Sequence, residues 1–170
     1  MLNRFHQYIS EKKLFKQTDK ILATVSGGID STVMCHLFHE AKIYFAIAHC
    51  NFQLRGEESD GDEKFVQALA EKYHVPCYVK HFNTHEFAGQ EKISTQMAAR
   101  NLRYKWFHEL LMSEGFNYIA TAHHTNDVLE TVLLNLTKGS GIAGFHGIKE
   151  KNQYLIRPLL FANRKDINEY

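Results

Sequence analysis

The sequence predicts an α/β fold, a doubly wound parallel sheet with helices on both faces. Three observations predict it. Short, mostly apolar runs recur along the chain. Segments striped at helical spacing separate them. Only 2 prolines interrupt the 170 residues, and no linker, repeat or low-complexity stretch is visible. Short apolar strands alternating with amphipathic helices build a parallel sheet covered on both sides. Right-handed crossovers then wind it doubly.

The elements follow in order. Residues 1–20 read as an N-terminal helical segment; Arg4, Lys12, Lys13, Lys16 and Lys20 outnumber Glu11 and Asp19 there, as on a solvated face. Ile21–Val25 is the first strand, and SGGIDS follows it. A helix over Asp30–Ala41 has Val33, Leu37 and Ala41 on one side. Ile43–His49 is the second strand, Cys50–Asp60 a polar loop and Gly61–Tyr73 a helix. Cys77–Phe82 is the third strand, with a loop through Gly89 after it. Ser94–Glu114 is a long helix striped by Ala98, Leu102, Trp106 and Leu110. Tyr118–Ala122 is the fourth strand, and Thr125–Lys138 a helix with Leu129, Leu133 and Leu136 on one side. A glycine-rich loop and a short strand near Leu155–Leu160 close the order.

Composition bounds the function. A hydrophobic fraction of 44% and a charged fraction of 23% suit one globular domain over residues 1–170. The longest apolar run, Ile43–Ala48, is far short of the ~20 residues of a membrane helix, so no membrane partner is expected. The start, MLNRFHQYIS, does not read as a secretory signal. The 3 cysteines, Cys35, Cys50 and Cys77, are too widely spaced for a disulfide framework or a CxxC site. A cytoplasmic location is the expectation. A net charge of +1 does not by itself point to nucleic acid.

In doubly wound sheets, ligands bind beyond the carboxyl ends of the strands at the switch point. Chemistry is therefore expected in SGGIDS, in His49-Cys50-Asn51 and in His123 to Asp127. In Ser26-Gly27-Gly28-Ile29-Asp30-Ser31, paired glycines permit close backbone approach. The helix start behind them suits an anion. Asp30 beside a phosphate requires a bridging cation, and Mg²⁺ takes carboxylates with phosphate oxygens. A tight turn with Asp30 or Ser31 as helix cap is the alternative. Gly139-Ser140-Gly141-Ile142-Ala143-Gly144 follows a helix rather than a strand, which excludes a dinucleotide fingerprint. It is a loop over the site or a helix end capped by Gly139.

Asp127 and Glu130 lie three apart on one helix face. Glu130 would complete a metal site with Asp30 and Asp127 would act as a base, or the pair forms a capping box. One of His123 and His124 is expected to face the cleft. Arg100 and Arg103 sit on the long helix; Arg103 flanks its stripe and is either a phosphate ligand or part of a solvated face. Arg55 sits on a loop at the functional end of the second strand.

SGGIDS resembles the PP-loop, the pyrophosphate-binding signature of N-type ATP pyrophosphatases. His49-Cys50-Asn51-Phe52-Gln53-Leu54-Arg55-Gly56-Glu57-Glu58-Ser59-Asp60 resembles the HxNxxLRxxES segment of the tRNA(Ile)-lysidine synthetase family. Residues 94–104 are similar to its QxxARxLRY helix. Ala120 to Asp127, with Glu130-Thr131 and Leu133-Leu134, are similar to its ATAHHxxDxxET-LL block. Gly139-Ser140-Gly141 and Ile156-Arg157-Pro158-Leu159-Leu160 follow in the family's order. Lys138 departs from the arginine more usual there.

The resemblance implies the catalytic domain of a longer protein, with most tRNA contacts beyond Tyr170. It implies ATP and Mg²⁺ as cofactors, and tRNA(Ile) with a CAU anticodon and free L-lysine as partners. A homodimer is a further expectation. ATP would adenylate the oxygen on C2 of the wobble cytidine, and the lysine amine would then displace AMP. Ser26, Gly27, Gly28, Ile29, Asp30, Ser31, His49, Asn51, His123 and His124 would form the nucleotide site. Asp30 and Glu130 would hold Mg²⁺. Asp127 would be a base or position lysine, and Arg103 would hold the activated base or a phosphate. A PP-loop thiolase is the nearest rival, and a non-catalytic nucleotide-binding domain the other.

Overall fold

Alternate residues of the central strands divide between two cores. Ile21, Ala23, Val25, Phe45 and Ile47 enter one, while Leu22, Ala46, Ala48 and Ile119 enter the other. This period of two is what a strand buried on both faces requires. The computed structural model describes residues 1–137 and 147–170. The strands are β1 (Ile21–Thr24), β2 (Phe45–Asn51), β3 (Cys77–His81), β4 (Tyr118–Ala120), β5 (Lys151–Asn152) and β6 (Leu155–Ile156). They form one sheet in the order β3-β2-β1-β4-β6-β5. All neighbours pair in parallel except β5 with β6.

The helices are α1 (Leu2–Lys12), α2 (Ile29–Glu40), α3 (Glu57–Tyr73), α4 (Thr84–Glu91), α5 (Thr95–Ser113), α6 (Thr125–Thr137) and α7 (Arg164–Glu169). The first core takes Phe5 of α1, Leu37 and Phe38 of α2, Val66 and Tyr73 of α3, and Ile167 of α7. The second takes Trp106, Phe107, Leu110 and Leu111 of α5. The expected doubly wound sheet with helices on both faces is therefore the fold. The chain runs from β1 outward to β3, then returns to place β4 on the other side of β1. That reversal opens a crevice at the carboxyl ends of β1 and β4.

Several boundaries differ from expectation, each for a local reason. β2 begins at Phe45 rather than Ile43, because Ile43 N–H donates to Phe38 O (3.0 Å) and closes the end of α2. α3 begins at Glu57, four residues before Gly61. Gly56, at φ +53°, makes the turn, and Glu57, Glu58 and Asp60 favour the positive helix start. The segment around Gly89 is helix α4, capped by Asn83. The last strand is only Leu155–Ile156. Pro158 lacks an N–H, and Leu160 N–H turns back to Arg157 O at 3.3 Å. Lys138 and the run Gly139 to Gly144 lie outside the described residues. No helix of the described residues is long and apolar enough to cross a membrane.

Candidate active site

The SGGIDS loop leaves β1 and is closed by its own serines. Ser26 Oγ accepts from Gly28 N–H at 3.3 Å. Ser31 Oγ donates to Gly28 O at 2.9 Å and accepts from Ser26 N–H at 3.3 Å. Gly28 is the N-cap of α2, and no side chain of the described residues caps this helix. The tight-turn alternative required Asp30 or Ser31 to do so. Instead the first-turn N–H groups stay available to an anion. His49, 3% exposed, donates from Nδ1 to Val25 O at 2.8 Å, just before the loop. It holds the strand exit from behind and does not line the cavity.

A cavity of about 270 Å³ opens at the loop. Ser26, Gly28, Asp30 and Ser31 form one wall. Cys50 and Phe52, at the end of β2, form a second. Arg100, Arg103, Tyr104 and Phe107 of α5 form a third, and Thr121, Ala122 and His123 after β4 complete it. Arg103 stacks on Phe52, with Cζ 5.2 Å from the ring centroid, and Arg100 on Tyr104 at 5.0 Å. Arg103 therefore faces the cleft rather than solvent alone, and its charge remains for an anionic or electron-rich ligand. Ser94 caps α5 by accepting from Met97 N–H at 3.2 Å, which fixes the helix that presents both arginines.

The two histidines part company. His123 lines the cavity, and its Nδ1 lies 2.8 Å from Thr121 Oγ1. Burial, reinforced by the Arg157 guanidinium, holds its imidazole below the ordinary value. His124 is 2% exposed and lies behind the wall. Its Nε2 is 3.8 Å from Asp30 Oδ2 and its Nδ1 is 3.7 Å from Asp127 Oδ2. Neither ring nitrogen has a hydrogen-bond partner among the described residues. His124 thus stands between two of the candidate catalytic carboxylates.

Asp127 Oδ2 accepts from His124 backbone N–H at 2.8 Å. This is one half of a capping box, made by Asp127 alone. Glu130 is exposed on α6 and is not among the cavity residues. Asn51, 1% exposed, donates to Glu63 Oε2 at 2.8 Å and to Asp60 Oδ1 at 3.3 Å, so it anchors α3 and does not line the cavity. Burial works against the Glu63 charge, but hydrogen bonds from Asn51 and His81 outweigh it and lower its pKa.

Two residues enter that sequence reasoning did not single out. Arg164, at the start of α7, donates from Nη1 to Asp30 Oδ1 at 2.5 Å. A separation of 134 residues left no local pattern to find it. Asp62 of α3 lies against Gly27: a Cβ there would stand 2.8 Å from Asp62 Oδ1. Its Oδ2 accepts from Arg55 Nη2 at 2.9 Å. Asp62 belongs to the acidic run Glu57 to Glu63, and only the fold brings that run against the loop.

The donor set suits Mg²⁺. Asp30 offers a hard carboxylate at the cavity wall, and Mg²⁺ is usually held by one or two carboxylates together with substrate phosphates. The described residues hold no cluster of three or more His, Cys, Asp or Glu that would form a cage without a nucleotide.

A family model described as a PP-loop domain matches residues 1–170. The chain belongs to the PP-loop domain family. A curated relative from Bacteroides thetaiotaomicron, named tRNA(Ile)-lysidine synthase, is 45% identical over 167 residues, covering 98% of this chain and 39% of that protein. A relative of the same name from Thermosipho africanus is 40% identical over 173 residues, covering 100% of this chain and 40% of its own length. This PP-loop chain thus spans about 40% of the length of such relatives. Among solved structures, the U34-tRNA thiolase NcsA from Methanococcus maripaludis with its [4Fe-4S] cluster superposes with a TM-score of 0.73 at 20% identity. It covers 98% of this chain and 63% of that one. An NH3-dependent NAD synthetase from Campylobacter jejuni gives 0.61 at 16% identity, covering 99% and 69%. These two likenesses concern the PP-loop fold.

Proposed function

We propose that the chain carries the ATP site of an enzyme that joins free lysine to C2 of the wobble cytidine of tRNA(Ile) with a CAU anticodon. The product is lysidine, with AMP and pyrophosphate. The observation that supports this most is the grouping of the uncapped PP-loop, Asp30, Arg103 and His123 around one cavity, in a chain 45% identical to a protein named for that reaction.

The first-turn N–H groups of α2 and the loop amides would hold the β- and γ-phosphates as the cytidine oxygen attacks the α-phosphorus and pyrophosphate leaves. Asp30 would hold Mg²⁺ against those phosphates, and the cation would neutralise charge there. Arg103, braced on Phe52, would meet the activated base or its phosphate. In the second step the lysine ε-amine attacks C2 and the C2–O bond to AMP breaks. That amine is mostly protonated at neutral pH, so it needs a base. Asp127 is that base or the group that positions lysine. Its Oδ2 is occupied by His124 N–H, so Oδ1 would meet the amine. Glu130, exposed on the same helix, is the further proposed ligand of Mg²⁺.

The rival sulfur chemistry requires reactive thiols. Cys50 lines the cavity, but burial pushes its thiol up to about 12. Cys35 is buried and its thiol is raised further by burial. Such thiols are poor nucleophiles at neutral pH. Labelled lysine offered with ATP and tRNA(Ile) to the longer protein that carries this chain separates the readings. Label in the tRNA is expected; thiolated tRNA without lysine label, or no modification at all, contradicts the proposal.

A further inference from the structure

Asp30 is the carboxylate proposed above to hold a cation at the phosphates, and in the structure Arg164 pairs with it. The pair Arg164 Nη1–Asp30 Oδ1 is 2.5 Å long, with side chains 46% and 28% exposed. The guanidinium is not a loose surface charge, because α7 is held at several points. Asn163 and Asp166 form a capping box at its start. Arg164 backbone N–H donates to Asn126 Oδ1 at 3.0 Å, which ties it to the first turn of α6. Arg4 of α1 grips Asp166 at 2.9 Å and also donates to Phe161 O at 3.0 Å. Ile167 is buried in the core beside α2. An anchored helix therefore delivers one positive charge to the PP-loop carboxylate.

We propose that Arg164 is a positioning residue of the phosphate site, one that holds Asp30 at the cavity and sets how much divalent cation the site needs. The inference rests on the reading of Asp30 as a Mg²⁺ ligand. A guanidinium and a divalent cation compete for the same carboxylate oxygens. A bound cation would displace Arg164 from Oδ1, and its charge would then remain near the site of the nucleotide's phosphates. Removing it has two opposed effects. The cation meets less repulsion, and the phosphates lose a positive neighbour. A merely structural role for Arg164 would weaken cation and nucleotide binding together.

Mn²⁺ binding, followed by electron paramagnetic resonance with a non-hydrolysable ATP analogue, separates these cases without reference to turnover. Arg164→Gln is expected to bind Mn²⁺ about two- to five-fold more tightly, the range for loss of a partly exposed ion pair. The same variant should bind the analogue more weakly when Mn²⁺ is saturating. Arg164→Lys, which keeps the charge, is expected to stay near the wild-type Mn²⁺ affinity. Unchanged or weaker Mn²⁺ binding by a folded Arg164→Gln protein overturns the proposal. So does an Arg164→Lys protein that behaves like Arg164→Gln. If Asp30→Ala binds Mn²⁺ with the analogue as well as wild type does, the reading of Asp30 fails first, and this proposal with it.

Discussion

At Gly27 the backbone φ is +97°, and an added Cβ would stand 2.8 Å from Asp62 Oδ1. Either feature alone disfavours a side chain; together they bind the loop's shape to the position of α3. Left-handed backbone costs a non-glycine residue roughly 1–2 kcal/mol, and Asp62 cannot retreat freely while Arg55 holds its other oxygen. Gly27→Ala is expected to lower stability by about that amount and to weaken ATP binding at least tenfold, because the loop amides lose their alignment. Equilibrium unfolding and nucleotide titration check the two effects separately. Wild-type ATP affinity in the variant would contradict this account of the loop.

At the scale of elements, each site side chain depends on how its helix or strand ends. α5 offers Arg100 and Arg103 to the cavity, and its start is fixed by Ser94 Oγ. Ser94→Ala is expected to cost about 1 kcal/mol in urea unfolding and to weaken tRNA or nucleotide binding only slightly. A tenfold loss of binding with unchanged stability would show that the hydroxyl does something other than cap. The strand–helix alternation was legible because β1 and β2 are buried on both faces, so their apolar runs are continuous and short. The cavity loops were legible because they follow those strands. What was not legible depends on contacts remote in sequence or on local caps. The Asp30–Arg164 pair spans 134 positions. His123 and His124 are adjacent and equivalent in sequence, yet one lines the cavity and the other is enclosed by Asp30 and Asp127. α4 was hidden by Gly89, since its cap at Asn83 outweighs one helical glycine.

For the whole molecule, burial of His123 makes stability depend on pH. Its folded-state pKa lies below the ordinary value, chiefly through burial. As pH falls past about 6.5 the unfolded chain takes up a proton that the folded chain resists. Stability therefore falls with pH from there down to the folded-state value, below which this group adds no further change. Thermal melts between pH 7 and pH 5 are expected to show the decline, and His123→Asn should flatten part of it. An identical pH profile in that variant would assign the decline to other groups.

The proposed function stands or falls on one cavity at the switch of the sheet, where the PP-loop would hold ATP while the tRNA oxygen attacks it. ATP–pyrophosphate exchange by the longer protein that carries this chain, measured with and without tRNA(Ile), tests that claim most directly. Exchange is expected only when tRNA is present. It should fall at least about 100-fold in Asp30→Ala while the circular dichroism spectrum stays that of wild type. Exchange without tRNA, or full exchange by a well-folded Asp30→Ala protein, would contradict it.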